Sequence, residues 1–326
     1  MNPTIKTQGL TKRYHDVLAV DHLDLEVSEG EIFGLLGPNG AGKTTTIRML
    51  TGQTSPTSGT IRIDNHDIIR EAIRAKRLIG VVPDVSNIYD ELSAWDNLIF
   101  AARLYSVPKL ERENRANALL ELFGLFERRK DDVAGFSRGM KRRLTIAAAL
   151  IHKPKLLFLD EPTTGLDVQS SRLIRNLIKE LNADGATVFL TTHYIEEADQ
   201  LCQRIAIINK GKIVAMDNPE KLKAISEERQ VIEVSFILPK GLEDKLKGLS
   251  CISEVSRFGD KCRLRVDDTS EAVPALVDFS RENNLKIISI NTLKPTLEDA
   301  FVKLTGLNPE VMKTEKEPVK KSGNSD

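Results

Sequence analysis

No apolar run in this 326-residue chain is long enough to cross a bilayer. The longest, residues 145–151 and 156–159, fall far short of the roughly 20 residues a spanning helix needs. The opening Met1-Asn2-Pro3-Thr4 does not lead into the apolar core of a secretory signal. The expectation is a cytosolic chain that meets a membrane only through a partner. Cysteine is scarce. Cys202, Cys251 and Cys262 lack C-x-x-C spacing, which argues against a metal knuckle or redox pair and for reduced thiols in or near packed cores. His15, His22, His66 and His152 also lack ligand spacing. Charge of one sign is not in excess: Lys plus Arg and Asp plus Glu both number 47, so net charge does not point to nucleic acid. Hydrophobic residues at 40% and charged residues at 29% are ordinary for a globular protein, with room for about two domains.

Against that plain background one segment stands out: Gly37-Pro38-Asn39-Gly40-Ala41-Gly42-Lys43-Thr44-Thr45. It follows the apolar stretch 32–36 and opens into the helical pattern 46–50, the strand–loop–helix setting of a phosphate loop. Glycines let successive N–H groups turn inward, and the helix brings its positive end to the same point. Lys43 adds a charge for the β- and γ-phosphates, and the Thr44 hydroxyl is placed to ligate Mg²⁺. The chain is therefore expected to bind a nucleoside triphosphate.

Alternating apolar residues in 5–10 and 17–27 read as antiparallel strands, and 61–63 and 79–82 as short strands. Residues 95–128 keep a mostly helical period, with Trp95 at its start, suited to packing or to a place near a partner groove. Buried strands at 156–159 and 187–191 flank a helix marked by Leu173, Ile174, Leu177, Ile178 and Leu181. Such alternation argues for a largely parallel α/β core. Near residue 226 the pattern changes to β-α-β-β-α-β, the ferredoxin-like order, followed by a further helix at 296–305. The expected domains are 1–225, with a helical insertion at about 88–140, and 229–306. The charged stretch 307–326 reads as a disordered tail.

The strand 156–159 delivers Asp160 and Glu161 at its carboxyl end, where α/β proteins bind ligands. Asp160 suits Mg²⁺, mostly through water, and Glu161 suits a general base for an attacking water. Ser137 is a good helix N-cap, followed by the apolar stripe Met140, Leu144, Ala147, Ala148 and Ile151.

Together these motifs resemble the ATP-binding subunit of an ATP-binding cassette (ABC) transporter, over residues 4 to about 218. Gly37–Thr45 looks like its Walker A loop, and Asp160 with Glu161 like Walker B. Phe136-Ser137-Arg138-Gly139-Met140 stands where the family signature belongs, Thr164-Gly165-Leu166-Asp167 resembles the D-loop, and His193 matches the switch histidine. The resemblance implies a phosphate-loop α/β core with an antiparallel β subdomain and a helical insertion. It implies ATP as ligand, with Tyr14 stacking on adenine and Mg²⁺ as cofactor. Ser137 and Gly139 would reach the ATP held by a second copy, in a homodimer sandwich. His193 would hydrogen-bond the γ-phosphate and, with Glu161, orient the attacking water. A separate transmembrane permease would complete the transporter at the cytoplasmic face of the cell membrane; no nucleic-acid partner is expected.

Two positions depart from the family pattern. Asp84 stands where glutamine is usual, and is expected to keep a metal role. Arg138 replaces a glycine, and could reach the partner's phosphate, Asp167 or solvent. Residues 136–143 and the C-terminal domain look like those of ABC-2-type exporters of drugs, antibiotics or polysaccharides. The alternatives are an importer ATPase with a regulatory C-terminal domain, or a degenerate cassette that binds ATP without turning it over.

Overall fold

The computed structural model describes residues 3–226, 230–237, 242–259 and 261–308. Contacts divide the chain into one unit running to Pro219 and a second, Glu220–Leu307. Most of the stretch read as a tail, 309–326, lies outside the described residues.

The first unit opens with β1 (Ile5–Tyr14), β2 (Val17–Val27), β3 (Ile32–Leu36) and α1 (Lys43–Leu50). It continues through β4 (Ser58–Ile63), β5 (His66–Asp67), α2 (Ala72–Arg77) and β6 (Ile79–Val82) to α3 (Ala94–Leu104), α4 (Lys109–Leu122) and α5 (Arg138–Leu150). Then come β7 (Leu156–Asp160), α6 (Val168–Ala183), β8 (Thr187–Thr192), α7 (Ile195–Leu201), β9 (Arg204–Asn209) and β10 (Lys212–Asp217).

One sheet has the order β2-β1-β4-β5 and is antiparallel; the other runs β10-β9-β3-β8-β7-β6. From β9 to β6 the second sheet is parallel, and β10 is its antiparallel edge. Every side chain of β3, β7 and β8 is buried, as expected of parallel strands covered on both faces. Ile5, Leu10 and Ile63 from the first sheet share one core with Phe33, Phe158 and Phe189 from the second and with Ile47, Met49 and Leu50 of α1. Each such side chain contributes roughly 1.5–3 kcal/mol by leaving water.

Register decides what meets at the sheet's edge. Leu36 pairs with Thr192, Asp160 with Thr191 and Val82 with Leu159. The carboxyl ends of β3, β8, β7 and β6 therefore form a row. The phosphate loop, His193, Asp160-Glu161 and Pro83-Asp84 are the residues that leave it.

The second unit contains α8 (Pro219–Ala224, which begins one residue before it), β11 (Gln230–Phe236), α9 (Leu242–Leu246), β12 (Ile252–Phe258) and β13 (Lys261–Val266). Then follow α10 (Thr269–Glu282), β14 (Ile287–Leu293) and α11 (Leu297–Thr305). Its strands pair antiparallel in the order β12-β13-β11-β14, which is the ferredoxin-like arrangement. Ile232, Val234 and Phe236 alternate toward a core shared with Leu242, Leu246, Leu276 and Phe279. The final helix is locally specified: Thr296 and Asp299 form a reciprocal capping box, and Gly306 ends it in the left-handed region.

Candidate active site

Residues 37–42 bridge β3 and α1, and their backbone permits no substitute at two points. A Cβ on Gly37 would lie 2.3 Å from the Ile208 carbonyl oxygen. Gly42 has φ of +107°, and a Cβ there would lie 2.5 Å from the Ala19 carbonyl oxygen. Helix α1 starts with no side-chain cap and no acid in its first turn, which suits its N-terminus to an anion. The Gly211 N–H, in the turn between β9 and β10, donates to the Ala41 carbonyl at 3.0 Å and braces the loop.

Lys43 is 4% exposed, and its Nζ donates to the carbonyls of Gly37 (2.7 Å) and Pro38 (3.1 Å). The same Nζ is 3.4 Å from Glu161 Oε1. Glu161 is 3% exposed and has φ of +49°, a left-handed conformation rare for a side-chain-bearing residue. Its Oε2 accepts from the Thr164 hydroxyl at 3.2 Å and lies 3.2 Å from His193 Nδ1. That histidine contact is close without being aligned as a hydrogen bond. The His193 ring rests against Tyr194, with centroids 4.1 Å apart.

Asp160 Oδ1 accepts from the Thr191 hydroxyl at 2.6 Å. Burial holds the Asp160 carboxyl above its usual range, and the nearby charges of Glu161 and Asp84 push the same way, against hydrogen bonds from Thr191 and Thr44.

Structure thus brings together Lys43, Thr44, Asp84, Asp160, Glu161 and His193. Tyr14 is 41% exposed at the end of β1, with Lys12 Nζ 4.9 Å from its ring centre, on the hairpin whose Ala19 abuts Gly42. Ser137 caps α5 by accepting from the Met140 N–H at 3.3 Å. Among the described residues no hydrogen bond joins Ser137 or Gly139 to the Lys43–Glu161 cluster. Among the same residues Arg138 makes no ion pair with Asp167, whose carboxylate caps α6 through Ser170. A Cβ on Gly165 would stand 3.8 Å from Arg138 Nη1, so the guanidinium lies beside Gly165 instead. Trp95 lines a cavity of about 610 Å³ with Leu92, Asp96, Phe126 and Arg129.

Sequence reading missed Arg142. Its guanidinium is buried and bound to main-chain carbonyls of both the Asp84 loop and the Asp160–Pro162 turn. A basic run, Lys141-Arg142-Arg143, gives no local sign of which side chain turns inward.

A phosphate loop at the end of a parallel strand, facing a buried Asp-Glu pair, defines a phosphate-loop nucleoside triphosphatase. Comparisons narrow the class. Residues 20–164 match the ABC transporter family, and residues 218–305 match the C-terminal domain of DrrA1-3-like ATP-binding proteins. The linearmycin resistance ATP-binding protein LnrL of Bacillus subtilis is 36% identical, over 93% of this chain and 98% of that one. The daunorubicin/doxorubicin resistance ATP-binding protein DrrA of Streptomyces peucetius is 37% identical, over 93% and 92%. The Nod factor export ATP-binding protein I of Cupriavidus metallidurans is 39% identical, over 94% and 98%. Among solved structures, the dimeric post-hydrolysis ATP-binding cassette MJ0796 bound to ADP and Pi superposes with a TM-score of 0.61 at 28% identity, over 66% of this chain and 98% of that one. The chain belongs to the ATP-binding proteins of the ABC transporter family, and it is an ATPase.

Proposed function

We propose that this chain powers an exporter of drugs, antibiotics or other amphiphilic compounds by binding and hydrolysing ATP. The observation that carries the hydrolytic part is the buried Glu161, held between Lys43 and His193 at the mouth of the phosphate loop. The loop N–H groups and Lys43 bind the β- and γ-phosphates. Lys43 exchanges the Gly37 and Pro38 carbonyls for phosphate oxygens when nucleotide arrives. Glu161 accepts the proton of the attacking water, and His193 hydrogen-bonds the γ-phosphate and helps orient that water. Tyr14 stacks on adenine.

The oxygen donors Thr44, Asp84 and Asp160 fit Mg²⁺. Among the described residues no cage of three or more His, Cys, Asp or Glu side chains exists, and Mg²⁺ needs only one or two carboxylates beside phosphate oxygens. When bound, the ion neutralises charge on the phosphates.

Ser137 and Gly139 serve the nucleotide of a second copy, in a homodimer that closes on ATP. Among the described residues no helix can cross a membrane, so transport requires a separate permease, which holds the chain at the cytoplasmic face. The unit 220–307 acts as an accessory docking domain. Export is favoured over import because the relatives compared are named for resistance and for export.

The test pairs the chain with its permease in inside-out vesicles and follows ATP-driven uptake of a fluorescent amphiphile beside phosphate release. Glu161→Gln is expected to stop both while trapping an ATP-bound dimer. Undiminished turnover in that variant would refute the role of Glu161, and turnover without uptake of any amphiphile would refute export of that class.

A further inference from the structure

Arg142 is 5% exposed, yet among the described residues its guanidinium makes no ion pair. Its N–H groups go to five main-chain carbonyls instead. Nε donates to Pro162 at 2.9 Å, and Nη2 donates to Asp160 at 2.9 Å and Glu161 at 2.6 Å. Nη1 donates to Asp84 at 3.3 Å and, at shorter range, to Pro83. A guanidinium has five N–H donors, so each is used. Burying such a charge is costly, and a fold keeps it only where hydrogen bonds satisfy it. The carboxylates of Asp84, Asp160, Glu197 and Glu161 surround it at longer range.

Three of these carbonyls, 160 to 162, bracket the one residue of the turn with unfavourable backbone geometry. Glu161 sits at φ of +49°. Non-glycine residues stay in that region only where their surroundings over-determine it. Here the Glu161 N–H donates to the Thr191 carbonyl at 3.1 Å, while Arg142 takes the carbonyls on either side. The other two carbonyls belong to the loop leaving β6. A single side chain on α5 thus fastens two strand ends to the helix that opens with Ser137.

We propose that Arg142 is a positioning residue for ATP hydrolysis: it holds the Glu161 turn so that the carboxylate stays between Lys43 and His193, and it yokes that turn and the Asp84 loop to α5. A displacement of the start of α5 is then passed to the base directly. Arg142 hydrogen-bonds neither the phosphate loop nor Lys43, so its loss acts on the Asp84 and Asp160–Pro162 carbonyls rather than on the groups that grip the phosphates. The inference rests on Glu161 as base.

The experiment compares the parent, Glu161→Gln, Arg142→Lys and Arg142→Ala for steady-state ATP turnover and for binding of a fluorescent methylanthraniloyl-ATP. Arg142→Ala is expected to lower kcat by about 100-fold or more, the scale of a misplaced catalytic group, with KM and analogue affinity held within about threefold. Lysine offers three donors on one atom and cannot span both loops, so Arg142→Lys stays at least about tenfold down. Added guanidinium ion restores turnover to Arg142→Ala and leaves Glu161→Gln unmoved. Parental kcat in Arg142→Ala would overturn the inference. So would a loss of kcat matched by an equal loss of analogue affinity, or loss of folded protein in both Arg142 variants, since each makes Arg142 a general scaffold residue. Turnover surviving in Glu161→Gln while the Arg142 variants fail would overturn the role given to Glu161 and, with it, the route by which Arg142 acts.

Discussion

Replacing Glu161 by glycine and by alanine separates what its side chain does from what its backbone costs. Both substitutions delete the same contacts, to Lys43 at 3.4 Å and to Thr164 and His193 at 3.2 Å, so those losses cancel between the two variants. What remains is conformation. At φ of +49° alanine keeps a Cβ pressed toward the backbone carbonyl. That penalty is about 1–2 kcal/mol in the left-handed region, and glycine escapes it. Glycine loses more chain entropy on folding, about 0.5–1 kcal/mol. At the middle of those ranges the balance leaves Glu161→Gly more stable than Glu161→Ala by roughly 0.5–1 kcal/mol. For a unit running to Pro219, that corresponds to a melting temperature higher by about 1–4 °C. Both variants are expected to lose turnover by about 10²–10⁴-fold, because each lacks the carboxylate proposed as general base. Calorimetry without nucleotide, beside an ATPase assay, reads both quantities. Alanine melting at or above glycine would refute the reading of a strained turn. It would also remove the main reason for Arg142 to hold it.

Gly37→Ala places a methyl 2.3 Å from the Ile208 carbonyl oxygen, which is strand backbone and cannot yield. It is expected to cost about 1–3 kcal/mol of stability, and a calorimetric scan showing no loss would refute the close packing of the loop on β9. Displacement of the loop should also weaken ATP binding by about tenfold or more, measured by titration calorimetry. Burial holds the Glu197 carboxyl above its usual range, against hydrogen bonds from Thr192 and Thr163. The folded state therefore keeps a proton that the unfolded chain releases, so this group's contribution is greatest at low pH and is lost as pH rises toward the folded pKa. Glu197→Gln removes that titration. Its melting temperature relative to the parent should rise as pH climbs above the usual carboxylate range, and a difference that stays constant as pH rises would contradict the burial argument.

Much of the site was legible because its determinants are local. Glycine spacing, a buried strand before it and a helix after it specify the phosphate loop within residues 32–50, and Lys43 falls at the first position of the helix. Apolar strands ending in Asp160 and in Thr192-His193 were readable for the same reason. The ferredoxin-like order of the second unit followed from alternation, and the pairing β12-β13-β11-β14 agrees with it. Other parts misled. The α5 stripe was expected at Met140, Leu144, Ala147, Ala148 and Ile151, but Met140 and Ala148 are half-buried and Arg142 is inside. Leu173, counted in the buried face of α6, is 54% exposed.

By itself, then, the sequence determined a glycine-rich loop between a buried strand and a helix and the acids at another strand's end, since each rests on spacing within a few turns or one strand. Tertiary structure decided the rest. Ile208, on a strand that periodicity did not mark, and Gly211, in the turn that follows it, shape the loop from beside β3. The left-handed turn at Glu161 and the five carbonyls around Arg142 arise where β6, β7 and α5 converge. Main-chain carbonyls are the same in every residue, so no local pattern announces where a buried cation will find them. Only the packing of distant segments brings enough of them to one point.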